Sequence, residues 1–231
     1  MFVREGAKLL LVDRDEKGLG DLAARIGPHG CSSCVADMSN PDDVERATEM
    51  ALARYGRLDI LMSNAGIEGH VVPLTDYPIE VFDRVMAINV RGVWLSLRAA
   101  MPAMQRTGGG SIVITSSIAG LRGFAGLSAY ATSKHAVVGL MRCAALEGAA
   151  HGIRVNTIHP SPIETRMMRA IEEGAAPGAA NTAKADFLTQ IPAGRYGTPE
   201  EVASVGLFLA SDESAFCSGG LYSVDGAMSA G

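Results

Sequence analysis

The sequence predicts an α/β fold in which helices cover both faces of a parallel sheet. Short β-rich apolar segments alternate along the chain with longer helix-like segments, the pattern typical of such sheets. The 231 residues suit one domain of this class. The chain shows neither an internal repeat nor a linker between separate cores. We therefore expect residues 1–231 to form a single domain.

The individual elements follow from the local pattern. The predicted strands are 8–13, 34–37, 58–64, 111–117, 153–160 and 220–226, and the predicted helices are 41–56, 78–105, 129–149 and 199–211. Pro41 and Pro199 support two helix starts, because proline fits the first helical turn and the acids that follow suit the helix dipole. The Ala- and Gly-rich segment 169–185 predicts either a flap over a cleft or an ordinary surface connection. The glycines at 108–110 precede a strand, so we interpret them as a turn and not as a phosphate-binding loop.

Composition excludes several classes of function. Lys and Arg total 20 against 25 for Asp and Glu, a net charge of −5, so nucleic acid is not an expected partner. Apolar runs are too short for a membrane span or a signal-peptide core, so we expect a cytoplasmic protein with no membrane partner. Cys31 and Cys34 form a CxxC without a second pair, which favours reduced thiols over a zinc site. We expect no metal.

Tyr130 and Lys134 are the first candidates for chemistry. If their segment is helical, the two side chains lie on one face about 5–6 Å apart at Cβ. A neighbouring ammonium favours the phenolate and brings a phenol toward the range of a working base. Tyr and Lys four residues apart also occur often by chance on helix surfaces, so the spacing alone does not decide.

Ser117 ends a predicted strand thirteen residues before Tyr130, where side chains reach the cleft at the carboxyl edge of a parallel sheet. Its hydroxyl could bond a substrate oxygen, or it could satisfy strand-end backbone groups as serines commonly do. A hydrolase nucleophile would need GxSxG, and Thr115 stands in the place of the first glycine. We therefore exclude a hydrolase.

Motifs along almost the whole chain resemble the short-chain dehydrogenase/reductase family in its single-domain form. They are LLLVDRD, AD at 36–37, SNAG at 63–66, DRVMAINVRG at 83–92, GSIVITSS, SAYATSK, IRVNTIHP, GRYGTPEEVA and SGGLYSVDGA. The resemblance implies a Rossmann-like, doubly wound parallel sheet. It also implies an NAD-dependent oxidoreductase that interconverts a secondary alcohol and a ketone by hydride transfer.

The resemblance assigns four catalytic residues. Tyr130 would be the general acid/base, and Lys134 would lower its pKa while bonding the nicotinamide ribose. Ser117 would orient and polarise the substrate oxygen. Asn89 would fix a water that relays protons from Lys134, although a helix-interior Asn bonded to backbone is the alternative.

The cofactor contacts implied by the resemblance begin at Asp13, which ends the first predicted strand. Its carboxylate would accept bonds from both ribose hydroxyls and repel a 2′-phosphate, which favours NAD over NADP. Arg14 could accommodate that phosphate, so NADP stays an alternative. Asp37 could instead be a helix-capping or loop acid. The remaining implied contacts are Asp37 and Met38 along the adenine, Asn64, Ala65 and Gly66 under the ribose, and Pro160, Ile163 and Thr165 at the nicotinamide, with Tyr130 and Lys134.

Two residues depart mildly from the family pattern. Ser161 stands where the family has glycine after Pro160, and we expect a strain on the order of 1 kcal/mol there if the position needs positive φ. Ala227 likewise replaces the usual second glycine near the end of the chain.

The family's first strand and its TGxxxGxG loop would precede Met1, and no substitute occurs later in the sequence. That loop presents N–H groups to the pyrophosphate, so its absence predicts weak dinucleotide binding and two unpaired inner sheet edges. The chain is then either a shortened form of an ordinary enzyme, which the catalytic set favours, or a non-catalytic relative that keeps the fold and oligomer contacts.

The sequence indicates the type of reaction more clearly than it indicates the substrate. A small or mid-sized, partly apolar alcohol or ketone suits the candidate lining residues, which are Glu68, His70, 118–124, Met167 and Met168. A 3-oxoacyl-carrier reductase is the alternative among enzymes, and Arg91, Arg122 and Arg166 are too scattered to form an evident basic patch. The family expectation is a homotetramer, with a homodimer as the alternative, formed through the apolar helices 78–105 and 129–149.

Overall fold

The structure is a computed structural model, and it describes residues 1–27 and 30–230. Six parallel strands form two sheets. The strands are β1 (Leu9–Asp13), β2 (Cys31–Val35), β3 (Ile60–Ser63), β4 (Gly110–Thr115), β5 (Ile153–Pro160) and β6 (Leu221–Val224). β1 pairs only with β2, and the second sheet has the order β3-β4-β5-β6. Within the described ranges no ladder joins β1 to β3, so an opening separates the two sheets.

Eight α-helices connect these strands in the described part of the chain. They are α1 (Glu16–Ile26), α2 (Pro41–Tyr55), α3 (Ile79–Met86), α4 (Gly92–Arg106), α5 (Ser128–Ala149), α6 (Arg166–Ala175), α7 (Ala180–Thr189) and α8 (Pro199–Ala210). Pro41 and Pro199 open α2 and α8 as predicted, and Thr198 and Glu201 form a complete capping box before α8. Over these same residues, no helix combines the length and apolarity that crossing a membrane requires.

The core is centred on β4, whose side chains alternate between two helical layers. Ile112 and Ile114 pack with residues of α4 and α5, whereas Val113 packs on the other face with Leu209 of α8. All three β4 residues are fully buried. An apolar run covered on both faces is the expected signature of a central parallel strand, and the predicted α/β architecture is confirmed.

Three predictions about elements need correction. β2 runs from Cys31 to Val35 and not from 34 to 37, because its register is set by pairing with β1, and the polar Ser32 is accommodated by a 2.8 Å contact with the Tyr55 hydroxyl. Helix α1 was not predicted. The segment 169–185 is largely helical and belongs to α6 and α7. The turn predicted at 108–110 is confirmed, with φ of +93° at Gly108 and +122° at Gly109.

The strain expected at Ser161 is absent, because Ala227 is the one non-glycine residue with positive φ in the described chain, at +71°. Ser161 is buried, and its N–H donates to the Val224 carbonyl at 3.2 Å, which continues the pairing of β5 with β6. The backbone strain therefore lies at the second departure from the family pattern and not at the first.

Candidate active site

The candidate site lies at the carboxyl edge of the four-stranded sheet, where β4 ends in Thr115 and continues through Ser116 and Ser117. The Ser116 hydroxyl donates to the Lys134 carbonyl at 2.9 Å, which ties the strand end to α5. Gly120 allows this close approach, since a Cβ there would lie 2.6 Å from the same carbonyl oxygen. Chain geometry after β4 thus brings Ser117 beside the first turns of α5.

Tyr130 and Lys134 lie on the buried face of α5, one helical turn apart. Their exposed fractions are 9% and 5%. The Lys134 ammonium donates to the Thr115 carbonyl at 2.8 Å and lies 5.5 Å from the centre of the Tyr130 ring. The structure therefore places the predicted pair on one helix face and joins it to the end of β4.

Burial dominates the ionisation of both groups. It raises the pKa of the Tyr130 phenol, while a hydrogen bond with the Ser117 side chain lowers that pKa and the Glu68 charge raises it. Burial also lowers the pKa of Lys134 to about 8. The expected depression of the Tyr130 pKa by Lys134 is therefore wrong for this structure, because the cost of removing the phenolate from water dominates and Ser117 is the group that lowers the pKa.

Asn89 is placed by a π-helical turn, Ala87–Arg91, which interrupts the predicted helix between α3 and α4. Turns of this kind are frequent at functional sites because they redirect a side chain within a helix. The Asn89 amide accepts from the Ile67 N–H at 2.8 Å and donates to the Ile67 carbonyl at 2.9 Å. Its nitrogen also lies 3.0 Å from the Ser133 hydroxyl, which donates to the Tyr130 carbonyl. The amide thus pins the loop after β3 against α5.

The loop after β3 holds three of the predicted cofactor contacts, Asn64, Ala65 and Gly66. The first two are exposed. A Cβ on Gly66 would lie 3.3 Å from the Asn89 side-chain oxygen and 3.6 Å from the Lys134 ammonium. This loop therefore passes directly over the buried Asn89 and Lys134, and it can approach a ligand on its open side.

Asp13 and Asp37 lie at the carboxyl ends of β1 and β2. Asp13 is exposed, and one of its oxygens accepts from the Asp15 N–H at 3.0 Å. Asp37 accepts from both the N–H and the hydroxyl of Ser39, which lowers its pKa, and the Arg14 charge lowers that pKa further. The loop-acid interpretation of Asp37 thus describes its present contacts, while Met38 follows it half-buried.

The last predicted cofactor contacts follow β5. Pro160 ends the strand, and Ile163 pairs with Gly197 through an isolated bridge. The exposed Thr165 caps α6 by accepting from the Met168 N–H at 3.3 Å, and its hydroxyl donates to the Ile163 carbonyl. All these residues lie at strand carboxyl ends, the edge where α/β sheets bind nucleotides.

These residues fit a dinucleotide at its two ends. An exposed carboxylate at β1 suits the adenosine ribose, and the loops after β3 and β5 flank the space above Lys134. At the opening between β1 and β3, residues 1–27 and 30–230 provide no glycine-rich turn that leads from a strand into a helix. The fit is therefore good for the adenosine and nicotinamide ends of a dinucleotide.

An apolar cluster covers the site on the side of α6 and α7. Ile118, Met168, Ile171, Ile191, Tyr196 and Met228 form its buried part, and Val71, Phe124 and Met167 pack against it. A neighbouring cavity of about 320 Å³ is lined by Glu68, His70, Val71, Val72, Ala170 and the glycines 69 and 174. Several predicted lining residues therefore do meet, around a space suited to a small, partly apolar molecule.

Two residues of the site were not identified from sequence. Ser133 bridges Asn89 and the Tyr130 backbone, and its position three residues after Tyr130 on a helix was the available signal. His159 is fully buried and contacts the Ser117 carbonyl. Its role depends on the register between β4 and β5, which no local pattern reveals.

Comparison with known proteins gives one family match over nearly the whole chain. A family model described as enoyl-(acyl carrier protein) reductase matches residues 1–229. Levodione reductase of Leifsonia aquatica is 38% identical over 230 residues, which cover 98% of this chain and 86% of that protein. Cyclohexanol dehydrogenase of an Acinetobacter strain is 41% identical over 192 residues, covering 83% of this chain and 72% of that protein.

Solved structures agree with these sequence matches. A crystal structure of levodione reductase aligns with a TM-score of 0.96 at 37% identity, covering 99% of this chain and 90% of that one. The structure of NAD+-bound xylitol dehydrogenase aligns with a TM-score of 0.91 at 30% identity, covering 97% and 90% of the two chains. The fold is therefore that of a known enzyme family.

Proposed function

The chain belongs to the short-chain dehydrogenase/reductase family of oxidoreductases, and from that membership we propose that it interconverts a secondary alcohol and a ketone with NAD. The observation that carries this proposal is the convergence of Ser117, Tyr130 and Lys134 at the end of β4, with Lys134 bonded to the Thr115 carbonyl. Cyclohexanol, named in one of the relatives, is itself a secondary alcohol. NAD would supply the hydride acceptor.

The protein's own residues move the proton. Tyr130 would take the hydroxyl proton of the alcohol, and would return it to the oxygen during ketone reduction. The Ser117 oxygen accepts from the Ala119 N–H at 3.1 Å, and its O–H, which bonds Tyr130 in this structure, would donate to the reacting oxygen when substrate lies between the two side chains. Lys134 would bond the nicotinamide ribose, and its lowered pKa of about 8 lets it exchange protons near neutral pH. Asn89 would hold a water beside Lys134 with its amide oxygen, since both hydrogens of its amide nitrogen are engaged by Ile67 and Ser133.

NAD is preferred over NADP in this proposal because of Asp13. The carboxylate is exposed at the end of β1, and it would repel a 2′-phosphate while accepting bonds from ribose hydroxyls. Arg14 acts on Asp37, whose pKa it helps to lower, so part of its charge is already balanced. The NAD+-bound xylitol dehydrogenase supports the proposal of a nicotinamide cofactor, and the choice of NAD over NADP rests on Asp13.

A carrier-linked 3-oxoacyl substrate is the second candidate, favoured by a relative from Thermotoga maritima, 36% identical, that is named 3-oxoacyl-(acyl-carrier-protein) reductase. A carrier with an acidic surface would need free basic groups beside the cleft. Arg91 donates to the Ser39 carbonyl at 2.6 Å, and Arg122 lies 4.9 Å from the centre of the Phe124 ring and donates to the Met228 carbonyl. Both arginines are engaged within the chain, which supports the small-molecule substrate.

The opening between β1 and β3 bears on cofactor affinity. The residues of β1 before Asp13, and all of β3, are only partly buried, as expected for strands whose inner edges lack a partner. We propose that one further parallel strand fits this opening and leads into a glycine-rich turn that binds the pyrophosphate. The 231 residues alone would then bind NAD weakly.

The exposed apolar side chains of α4 and α5 support the proposal of a homotetramer or homodimer. Trp94 on α4 is 48% exposed and Leu146 on α5 is 82% exposed, and exposed apolar patches commonly mark protein interfaces. Light scattering would show a multiple of the 24.1 kDa chain mass. A monomer at micromolar concentration would contradict this interface.

The test of the proposed reaction is the oxidation of cyclohexanol by NAD, followed by NADH absorbance, in the 231-residue chain and in one extended upstream of Met1. Tyr130→Phe should lower kcat by about 10²–10⁴-fold, because the proton acceptor is lost. Tyr222→Phe, which removes a phenol from β6, is the matched control and should leave kcat unchanged. No turnover of secondary alcohols or ketones by either form would favour the non-catalytic alternative, and an active Tyr130→Phe would contradict the proposed base.

A further inference from the structure

The end of β4 loses its main-chain partner on β5. The Ser116 N–H donates to the Ile158 carbonyl at 2.9 Å. In a parallel ladder the next donor on β5 would be the N–H of Pro160, which proline does not have. Ser117 nevertheless continues fully extended, with φ −171° and ψ 165°. Something other than the ladder must therefore hold Ser117 against β5.

His159 instead links β5 to the following carbonyl, that of Ser117, with its side chain. It is fully buried, and its Nδ1 lies 2.8 Å from the Ser117 carbonyl oxygen. A carbonyl only accepts hydrogen bonds, so Nδ1 carries the proton. The other ring nitrogen, Nε2, lies 2.8 Å from the Thr157 hydroxyl, which donates to it when the ring is neutral. Both ring nitrogens are thereby satisfied.

The surroundings keep this imidazole neutral. Burial lowers the pKa of His159, the bond to the Ser117 carbonyl raises it, and the charges of Lys134 and His135 lower it again. His135 is itself engaged, with its Nδ1 2.9 Å from the Ala131 carbonyl. A neutral ring in a fixed tautomer is a rigid donor and not a proton carrier.

We propose that His159 is a positioning residue, which holds the carbonyl of Ser117 so that the Ser117 hydroxyl stays directed at Tyr130. The proposal rests on the proposed function, because it assigns its effect through Ser117. The Ser117 carbonyl accepts from the Gly120 N–H at 2.8 Å as well as from His159. Two donors from different elements fix the peptide plane, whereas the Gly120 bond alone ties Ser117 only to its own turn.

Four variants separate positioning from mere packing. His159→Leu removes the donor, and Thr157 can then turn its hydroxyl to the Gly220 carbonyl at 3.3 Å. His159→Asn carries an amide nitrogen at about the distance of Nδ1 from Cα, so it can restore the bond. His159→Gln is equally polar but one carbon longer, which makes it the matched control. Ser117→Ala shows the full effect of losing the hydroxyl.

The measurement is the alkaline titration of Tyr130 by NMR of the 231-residue chain with ¹³C-labelled tyrosine, the signal being assigned with Tyr130→Phe. Because the Ser117 bond lowers the Tyr130 pKa, Ser117→Ala should shift the titration upward. His159→Leu and His159→Gln should shift it the same way, and His159→Asn should restore it. Combining His159→Leu with Ser117→Ala should shift it no further than Ser117→Ala alone.

Two results would overturn the proposal: a Tyr130 titration that His159→Gln and His159→Leu leave in place, or shifts that add in the double variant. If His159→Leu does not fold, the Asn and Gln pair decides. In whichever form turns over substrate, the 231-residue chain or the extended one, His159→Gln should lower kcat about tenfold and leave the KM for NAD unchanged. His159→Asn should recover the lost kcat. This titration needs no substrate, so it decides the positioning role even if turnover, and with it the proposed function, fails.

Discussion

Two regions of this molecule differ in how completely their own residues hold them together. The catalytic side comprises β3 to β6 with α4, α5, α6 and α8, and the adenosine side comprises residues 9–27 and 30–55. On the catalytic side Ile112, Val113 and Ile114 of β4 are fully buried. On the adenosine side β1 pairs with β2 alone among the described strands. Its first four residues are partly buried, and its last residue, Asp13, is exposed.

The difference teaches that proton chemistry and cofactor binding have separate structural requirements in this fold. Ser117, Tyr130, Lys134 and Asn89 are held by bonds among β4, α5 and the loop after β3. The adenosine side contacts the rest of the molecule through bonds such as the one that the Arg91 guanidinium donates to the Ser39 carbonyl. The proposed catalytic residues are therefore held together within one sheet and its helices, whereas Asp13 lies on a separate two-stranded sheet.

The largest expected contrast between the regions concerns two ion pairs of the same helical spacing. Arg169 pairs with Glu172, whose side chain is 2% exposed, and Arg46 pairs with Asp43, whose side chain is 26% exposed. Arg169→Ala leaves a buried carboxylate unpaired and should lower the free energy of unfolding by roughly 2–4 kcal/mol. Arg46→Ala should lower it less, because water replaces the lost partner.

Urea unfolding of both variants measures this contrast. Arg169→Ala combined with Glu172→Gln should recover part of the loss, since the unpaired charge is then gone. Equal losses in the two single variants would contradict the difference in burial between the two sides.

A second change breaks the contact between the two sides. A Cβ on Gly92, at the start of α4, would lie 2.9 Å from the Met38 carbonyl oxygen. Gly92→Ala should therefore cost roughly 1–3 kcal/mol, and it should speed hydrogen exchange in residues 9–55 more than in β4 and β5. Gly139→Ala on α5 is the control, because its Cβ would meet nothing within 4 Å. Uniformly faster exchange in Gly92→Ala would contradict two separable regions.

The smallest expected effect is a gain within the catalytic side. Ala227 is held at φ +71°, a left-handed conformation that strains a residue with a Cβ. Replacing it by glycine removes this strain, and the larger entropy of glycine in the unfolded chain offsets only part of the gain. Ala227→Gly should stabilise by roughly 0.5–1 kcal/mol in thermal unfolding. Ser161→Gly, at the family's other glycine position, should give no gain, and equal gains would contradict the assigned backbone conformations.

The elements were predicted best where a local pattern marked the element from its first residue to its last. β5 occurs at Ile153–Pro160, as predicted, because an apolar strand bounded by glycine and proline is legible locally. Helix α1 was missed because Gly18 and Gly20 lower its intrinsic propensity, while the Asp15 cap that accepts from Gly18 compensates. The π-helical turn at Asn89 has no periodic signature at all.

The site shows the same division. Tyr130 and Lys134 were predictable as neighbours because helical spacing fixes their faces. The approach of Ser117 to this pair depends on how the chain turns after β4. The sequence indicated that approach only through the resemblance of its motifs to those of the family. His159 was not predictable, because its contact exists only once β4 and β5 are paired in register and Pro160 has ended their ladder.

The central claim is that the catalytic side is complete while cofactor binding needs one more strand in the opening between β1 and β3. The most direct measurement is an NADH titration, by fluorescence, of the 231-residue chain beside one extended upstream of Met1 with a strand and glycine-rich loop from a relative. The account predicts much tighter binding by the extended chain, with Tyr130 in the same environment in both. Equal, ordinary micromolar affinity of the two chains would contradict it, because the pyrophosphate would then be held without the added loop.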